Sequence, residues 1–203
     1  MREAPLRSVE EIVAGVASAL ERFEERPFAF FGHSFGGMLA YELARRLTRE
    51  GGPVPRGIII SGCPAPHAEP KRSFMLHALP RDEFIAELAK LDGIPAQAHD
   101  NEKLQALIEP ALRADIRCRE LWAAGMRAAG VPADPLPVPI YPMGGTADAF
   151  VSAGDLAQWR RYTTMMRPAA LFDGGHFYFL QRPAPVLAKL AEIAAELEPA
   201  CSR

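Results

Sequence analysis

A glycine-rich turn between an apolar run and a helical pattern most constrains the fold of this chain. Residues 28–31 read Phe-Ala-Phe-Phe, a short continuous apolar run typical of a strand that is covered on both faces. Residues 32–37 read GHSFGG, and residues 38–49 carry Leu at every fourth position, which predicts an amphipathic helix. A strand that turns directly into a helix forces the residue at the turn into strained backbone dihedrals. The pattern therefore predicts that Ser34 lies at this turn with its hydroxyl exposed at the end of a sheet.

The residues around Ser34 fit such a turn. Gly32 and Gly36 are expected because a side chain at either position would collide with neighbouring backbone. The backbone N–H of Phe35, in the first turn of the following helix, is expected to point at a developing oxyanion, aided by the positive end of the helix. The alternative is a glycine-rich turn in which the serine only caps the helix.

Strand and helix patterns alternate along most of the chain. The further strands are predicted at residues 58–60, 138–143 and 169–172. The helices outside the middle of the chain are predicted at 38–49, 153–161 and 184–197, after a first helix whose apolar residues recur from Val9 to Leu20 and which ends before Pro27. The first helix begins after a capping box formed by Ser8 and Glu11. This alternation predicts an α/β fold with a mostly parallel sheet and helices on both faces.

The middle of the chain interrupts the alternation. Residues 64–129 contain helical patterns at 82–91 and 101–125, the second expected to break near Pro110, and no strand pattern. We interpret residues 64–129 as a helical insertion, called the lid below. Residues 1–63 and 130–203 then form the core.

A serine hydroxyl needs a base to take its proton, so the turn predicts a histidine on a loop after a later strand. His176 follows the strand at 169–172 and two glycines. The acid that orients it should come between Ser34 and His176, and Asp148 follows the strand at 138–143. Asp155 is expected on a helix. Asp173 is not the first choice because it is close to His176 in sequence, although it could form a local hydrogen bond with that residue. The alternatives are a structural loop histidine at 176 and an Asx-turn residue at 148.

The other histidines and the cysteines suggest no further chemistry. His33 is expected to point away from Ser34, and His67, His77 and His99 fall in the lid. The five histidines lack metal-ligand spacing, so no metal site is expected. The three cysteines form no CxxC pair and are odd in number, as in proteins with reduced thiols.

Composition excludes several classes of protein. The chain has 203 residues, of which 49% are hydrophobic and 24% charged, and its formal net charge is −2. This balance argues against a nucleic-acid-binding protein and against a disordered chain. The apolar runs are too short to span a bilayer, which takes about 20 residues. Because the first residues, MREAPLRSVEE, lack the apolar stretch of a secretory signal, we expect a cytoplasmic location.

Six segments in this order resemble those of a type II thioesterase of the α/β-hydrolase superfamily: FFGHSFGGMLAYELARRL, SGCPAP, LPRDEF, ALRAD, GGTAD and DGGHFYF. Such enzymes are the external editing thioesterases of nonribosomal peptide and polyketide synthases. The resemblance implies that Ser34 is the nucleophile, His176 the general base and Asp148 the acid that orients it, with the Phe35 amide as an oxyanion donor. It also implies hydrolysis of thioesters on the phosphopantetheine arm of an acyl or peptidyl carrier protein by a monomer that uses no cofactor.

The resemblance assigns a role to the lid as well. Its apolar side chains would supply a surface for the acyl chain and a face for the carrier protein; they are Phe74, Met75, Leu76, Phe84, Leu88 and Leu91. The alternative is that these residues pack between the helices of the lid.

One departure from the family concerns the start of the chain. The family's fold begins with strands before the first helix, including a loop that carries a second oxyanion N–H, and nothing before Phe28 has the pattern of a core strand. We therefore expect an N-terminally truncated α/β-hydrolase fold, either because the sequence lacks a piece or because the natural protein is short. A short protein would have an open sheet edge and one oxyanion donor, and losing a donor costs about 3–4 kcal/mol of transition-state stabilisation.

The remaining alternatives for function differ in chemistry. One is another serine esterase or a product-releasing thioesterase. The other is a catalytically weak hydrolase fold that binds carrier proteins without turning them over.

Overall fold

The computed structural model describes residue 6 and residues 8–20, 26–68, 75–90 and 101–198. Its sheet has four strands: β1 (Phe30–His33), β2 (Ile58–Ser61), β3 (Ile140–Gly145) and β4 (Ala170–Phe172). They lie in the order β1-β2-β3-β4, and every neighbouring pair is parallel. The predicted parallel sheet is confirmed, with β1 two residues later than its apolar run. β1 is the edge strand of the described sheet, and Phe31 is 48% exposed there.

The helices follow the predicted alternation. They are α1 (Val9–Leu20), α2 (Phe35–Glu50), α3 (Arg81–Ala89), α4 (Glu102–Ala129), α5 (Ala153–Ala157), α6 (Tyr178–Gln181) and α7 (Pro183–Leu197), with 3-10 turns at Leu76–Ala78 and Gln158–Arg161. The predicted helix at 153–161 is thus α-helical only to Ala157. The short helix α6 has no counterpart among the predictions, because four residues are too few to show a helical period.

Both faces of the sheet are covered. Ile58 and Ile60 of β2 pack with α1 and α2 on one face, whereas Ile59 packs with α7 on the other. Since successive side chains of a strand point to opposite faces, the continuous apolar run of β2 is what a doubly covered strand requires.

The predicted break of the long lid helix near Pro110 is wrong. Helix α4 continues through Pro110, which is exposed. On one side of it Leu112 and Ile116 pack in an apolar cluster of the lid, and farther along Trp122 packs against the core. A proline inside a helix removes one hydrogen bond, and packing on this scale outweighs that loss.

None of the helices in the described ranges is both long and apolar enough to cross a membrane. The division of the chain into core and lid at residues 63 and 130 stays a prediction. The described part of the lid comprises residues 64–68, 75–90 and 101–129, and its regular elements are the turn at Leu76–Ala78, α3 and α4.

Candidate active site

Ser34 has the strained backbone that the sequence predicts. Its φ is 52° and its ψ is −115°, and it is the only residue other than glycine with a positive φ in the described part of the chain. The residue follows β1 directly and precedes the first residue of α2. Its N–H donates to the carbonyl of Ser61 at 2.7 Å, which continues the pairing of β1 with β2 to the end of the sheet. Ser34 is therefore held at a sharp strand-to-helix turn.

Two glycines allow this turn, but they are not the pair that the sequence suggested. A Cβ at Gly32 would lie 2.1 Å from the carbonyl oxygen of Gly36, and a Cβ at Gly37 would lie 3.0 Å from the Cβ of Cys63. A Cβ at Gly36 would meet nothing within 4 Å. The expected collision at Gly36 is wrong, because its carbonyl, and not its Cα substituent, faces Gly32.

His176 and Asp148 form a hydrogen-bonded pair. Nδ1 of His176 lies 2.8 Å from Oδ2 of Asp148, whose side chain is fully buried. Oδ1 of Asp148 accepts the N–H groups of Phe150 at 2.8 Å and Val151 at 3.2 Å. Burial by itself raises the pKa of Asp148, but the bonds from His176 and from the two amides outweigh it, so the pKa lies below its ordinary value. An ionised Asp148 accepts Nδ1–H of His176 and leaves Nε2 free to act as a base.

The parallel sheet brings these residues to one edge. Ser34 follows β1, Asp148 follows β3 and His176 follows β4, so all three lie beyond the carboxyl ends of strands. The ring of His33, the residue before Ser34, lies 4.7 Å from the ring of His176, measured between centroids. Among the hydrogen bonds of the described residues, none joins the Ser34 hydroxyl to His176. Hydrogen bonds between catalytic side chains are often long in an enzyme that has no substrate bound. The N–H of Phe35 is at the first position of α2, where the helix itself offers no acceptor.

Asp155 and Asp173, the other two aspartates considered as partners of His176, have other partners in the structure. Asp155 lies on α5, where it forms a capping box with Ser152, as expected of a helix residue. Asp173 is exposed and pairs with Arg182 at 3.1 Å. Neither aspartate is hydrogen-bonded to His176 in the described contacts.

Most of the described apolar lid residues pack against one another. Leu76, Phe84 and Leu88 are buried in a single cluster, and the Arg113 guanidinium lies 4.1 Å from the centroid of the Phe84 ring. Met75 is 40% exposed. Phe74, Leu91 and His99 lie outside the described residues.

A buried polar chain next to the pair was missed by the sequence analysis. Nδ1 of His33 lies 2.9 Å from the hydroxyl of Ser61, which lies 2.7 Å from the hydroxyl of Tyr178. The register of the parallel strands pairs His33 with Ser61, so their positions at the ends of two predicted strands were the available signal. The ring of His33 therefore lies within the candidate site, next to the ring of His176.

No group of three or more His, Cys, Asp or Glu side chains that could hold a metal ion occurs in the described ranges. The chemistry available at this edge is that of a serine hydroxyl, an imidazole oriented by a carboxylate and an unpaired backbone N–H. This set of groups can form and hydrolyse an acyl-serine.

A family model and several curated relatives match most of this chain. Residues 1–194 match the family model described as a thioesterase domain. Thioesterase PikA5 of Streptomyces venezuelae is 34% identical over 177 residues, which are 87% of this chain and 60% of that protein. Gramicidin S biosynthesis protein GrsT of Aneurinibacillus migulanus is 31% identical over 88% of this chain and 67% of its own length. The chain thus spans about 60 to 67% of the length of these curated relatives.

Solved structures give the same result. YbtT, a type II thioesterase from the yersiniabactin NRPS/PKS biosynthetic pathway, superposes with a TM-score of 0.80 at 31% identity and covers 93% of this chain and 74% of its own. ClbQ, from the colibactin NRPS/PKS pathway, superposes with a TM-score of 0.84 at 27% identity and covers 97% of this chain and 80% of its own. The fold is therefore that of the α/β-hydrolase thioesterases.

Proposed function

Because the chain belongs to the thioesterase domain family, we propose that it hydrolyses acyl thioesters carried on the phosphopantetheine arm of a synthase carrier protein, as an editing enzyme. The observation that carries the proposal is the bond of 2.8 Å between His176 and the buried Asp148, at the sheet edge where Ser34 occupies a strained turn. Relatives of this chain include proteins named as type II thioesterases of NRPS/PKS pathways, which supports the choice of a thioester substrate.

In the first half of the reaction, the acyl group moves from sulfur to Ser34. Nε2 of His176 takes the proton of the Ser34 hydroxyl, and the oxygen forms a bond to the thioester carbonyl carbon. The negative charge on the carbonyl oxygen is stabilised by the N–H of Phe35. When the tetrahedral intermediate collapses, the carbonyl re-forms, the C–S bond breaks, and the proton on His176 passes to the departing sulfur, which leaves as the thiol.

In the second half, water replaces the thiol. His176 takes a proton from a water molecule, the water oxygen attacks the acyl-serine carbonyl, and the C–O bond to Ser34 breaks with return of the proton to its oxygen. The products are a carboxylic acid, a free carrier thiol and the original enzyme. Asp148 keeps its charge throughout and stabilises the imidazolium that forms in each half.

The lid has a supporting role in the proposal. Met75 is exposed, and it offers apolar surface for an acyl chain. The buried Leu76, Phe84 and Leu88 hold the lid together. They would contact an acyl chain only if the lid repacked.

Hydrolysis of an acyl carrier protein tests the proposal. The full chain is mixed with carrier protein loaded with acetyl or longer acyl groups, and release of the free thiol is measured for the parent, for Ser34→Ala and for Ser18→Ala, a control at an exposed serine of α1. We expect turnover in the parent and in the control, and its loss in Ser34→Ala. Binding of the carrier without hydrolysis by the parent would instead indicate a binding module. Hydrolysis of simple oxygen esters but not of the carrier-bound thioester would indicate another serine esterase.

A further inference from the structure

A buried polar chain lies beside His176 and comes from three separate elements. The hydroxyl of Tyr178 in α6 lies 2.7 Å from the hydroxyl of Ser61 in β2, and that hydroxyl lies 2.9 Å from Nδ1 of His33 in β1. Ser61 and Tyr178 are completely buried. A buried hydrogen-bonded chain of this kind fixes the positions of its members, because each unpaired polar group would be costly.

Aromatic rings surround His33. Centroid distances from its ring are 4.7 Å to His176, 5.2 Å to Phe177 and 4.8 Å to Phe179. The hydrogen bond at Nδ1 fixes one side of the ring, and these contacts fix its faces and edge. The ring of His33 is therefore a rigid surface against which His176 rests.

Gly62 shows how closely the two imidazoles fit the end of β2. A Cβ at Gly62 would lie 2.8 Å from Cε1 of His33 and 3.2 Å from Cε1 of His176, and the residue has a φ of 53°. A side chain at this position would displace both rings. The same backbone thus supports His33 and His176 together.

The surroundings of His33 keep it uncharged. Its Nε2 is buried and has no hydrogen-bond partner among the residues that the structure describes, so a protonated ring would hold an N–H group without an acceptor there. Burial and the neighbouring His176 lower the pKa of His33 to about 4, although Asp148 acts in the opposite direction. An uncharged neighbour does not repel His176 when that ring becomes an imidazolium during the reaction.

We propose that His33 is a positioning residue for His176: held by Ser61 and Tyr178, its neutral ring sets the orientation of the His176 imidazole toward Ser34. Asp148 fixes one nitrogen of His176. The rings of His33, Phe150 and Phe177 pack against the imidazole at centroid distances of 4.7, 5.2 and 5.1 Å and limit its rotation about that bond. The ring of His33 is held in turn by its hydrogen bond to Ser61. The proposal rests on the proposed function, in which His176 is the base.

Variants along the chain test it through kcat. We expect His33→Phe, which keeps an aromatic ring and removes the bond to Ser61, to lower kcat by about 10- to 100-fold with little change in KM, since misplacing a catalytic group by about 1 Å can cost that much. Tyr178→Phe removes a single hydroxyl and should lower kcat by a smaller factor. It keeps the test valid if His33→Phe fails to fold. His67→Phe is the matched control, because His67 is a half-buried histidine bonded to Tyr162 and Gln158 in another part of the protein.

A double-mutant cycle separates positioning from general destabilisation. If Ser61 acts through His33, Ser61→Ala should lower kcat in the parent and have no further effect in His33→Phe. The proposal would be overturned if the decreases in kcat caused by Ser61→Ala and His33→Phe multiplied in the double variant. It would also be overturned if kcat were unchanged in both His33→Phe and Tyr178→Phe.

A spectroscopic readout comes from the His176 Nδ1–H proton, which the bond to Asp148 places at low field in a proton NMR spectrum. We expect this signal to be sharp in the parent and in His67→Phe, and shifted or broadened in His33→Phe and Tyr178→Phe. An unchanged signal in both variants would contradict the proposal. The proposed function fails separately, if the parent does not hydrolyse the thioester or if Ser34→Ala still does.

Discussion

The carboxylate of Asp148 is the most constrained charged group of the site. One oxygen accepts the imidazole of His176, and the other accepts the amides of Phe150 and Val151. The amides come from the same loop as Asp148, so the loop orients its own carboxylate before His176 binds to it. A carboxylate that is buried loses its hydrogen bonds to water, and these three donors replace them.

Replacing Asp148 by asparagine should abolish most of the catalysis. The amide can donate to Nδ1 of His176 and so favour the tautomer in which Nε2 carries the proton and cannot act as a base. We expect kcat to fall by about 10⁴-fold with KM little changed. Steady-state kinetics on the acyl carrier protein measures this, with Asp173→Asn as control, because Asp173 is exposed and forms an ion pair with the exposed Arg182. A kcat within tenfold of the parent would show that His176 does not depend on Asp148.

The depressed pKa of Asp148 predicts how stability depends on pH. The group binds its proton less tightly in the folded chain than in the unfolded chain, where its pKa is about 3.9. Its contribution to the free energy of unfolding is therefore present above about pH 4 and is lost as the pH falls through the folded pKa. Denaturant unfolding should show that the parent has a higher free energy of unfolding than Asp148→Asn, by an amount that is large at pH 7 and becomes smaller below pH 4. A difference that becomes larger in acid would mean that the pKa of Asp148 is raised instead of lowered. For the control Asp173→Asn, the free energy of unfolding should differ from that of the parent by less than about 0.5 kcal/mol at pH 7.

The glycines of the turn make a matched pair. Gly32→Ala places a Cβ 2.1 Å from the carbonyl oxygen of Gly36, so the backbone must shift, whereas Gly36→Ala adds a methyl group in open space. We expect the first change to lower the free energy of unfolding by about 3 kcal/mol or more and the second to change it by less than about 1 kcal/mol. Chemical denaturation of both variants checks this. Equal stability would mean that the turn does not need the close approach at Gly32.

At the scale of elements, predictions succeeded where the signal was local. Each strand was found within about two residues, because an apolar run followed by glycine is itself the mark of a buried strand and its turn. Ser34, Asp148 and His176 were predicted as site residues for the same reason, since each follows such a strand, and the structure brings them to the same end of the sheet. The continuity of α4 through Pro110 could not be predicted, because it depends on packing with α3 and the core. The hydrogen-bonded side chains of His33, Ser61 and Tyr178 join residues up to 145 positions apart in the sequence, and no local sequence pattern at His33 or Tyr178 predicts these bonds.

Two charged residues of α4 hold the start of the described lid. Glu120 accepts the backbone N–H groups of Leu76 and His77 at 2.7 and 3.2 Å and also contacts Nδ1 of His77 at 2.6 Å. Arg113 donates to the carbonyls of His77 and Leu79 at 2.7 and 2.8 Å. The 3-10 turn makes backbone hydrogen bonds of its own, from Ala78 to Met75 and from Leu79 to Leu76, and α4 supplies partners for further backbone groups of the turn.

Glu120→Ala should release this turn while leaving the core intact. We expect faster limited proteolysis between residues 75 and 90, because three contacts to the turn are lost at once, and an unchanged rate of fluorophosphonate labelling at Ser34. Glu83→Ala, at an exposed position of α3, is the control and should be cut at the parent rate. Unchanged proteolysis of Glu120→Ala would show that Arg113 and the apolar cluster suffice to hold the turn.

At the scale of the whole molecule, the order of the strands assembles the site. Three parallel strands end at one edge of the sheet, and the proposed nucleophile, acid and base follow them in the chain order Ser34, Asp148, His176. Helices cover both faces of the sheet, and the side chain of Asp148 is buried at its end. In the proposed reaction, the fold thus brings together residues that lie 142 positions apart in the sequence.

Acyl-enzyme trapping tests this account most directly. The full chain is mixed rapidly with acyl carrier protein, quenched in acid and digested, and mass spectrometry identifies the residue that carries the acyl group. We expect a transient acyl group on Ser34 in the parent, accumulation of the same species when hydrolysis is slowed, and no acyl group in Ser34→Ala. An acyl group on another residue, or thioester hydrolysis by Ser34→Ala at the parent rate, would contradict it.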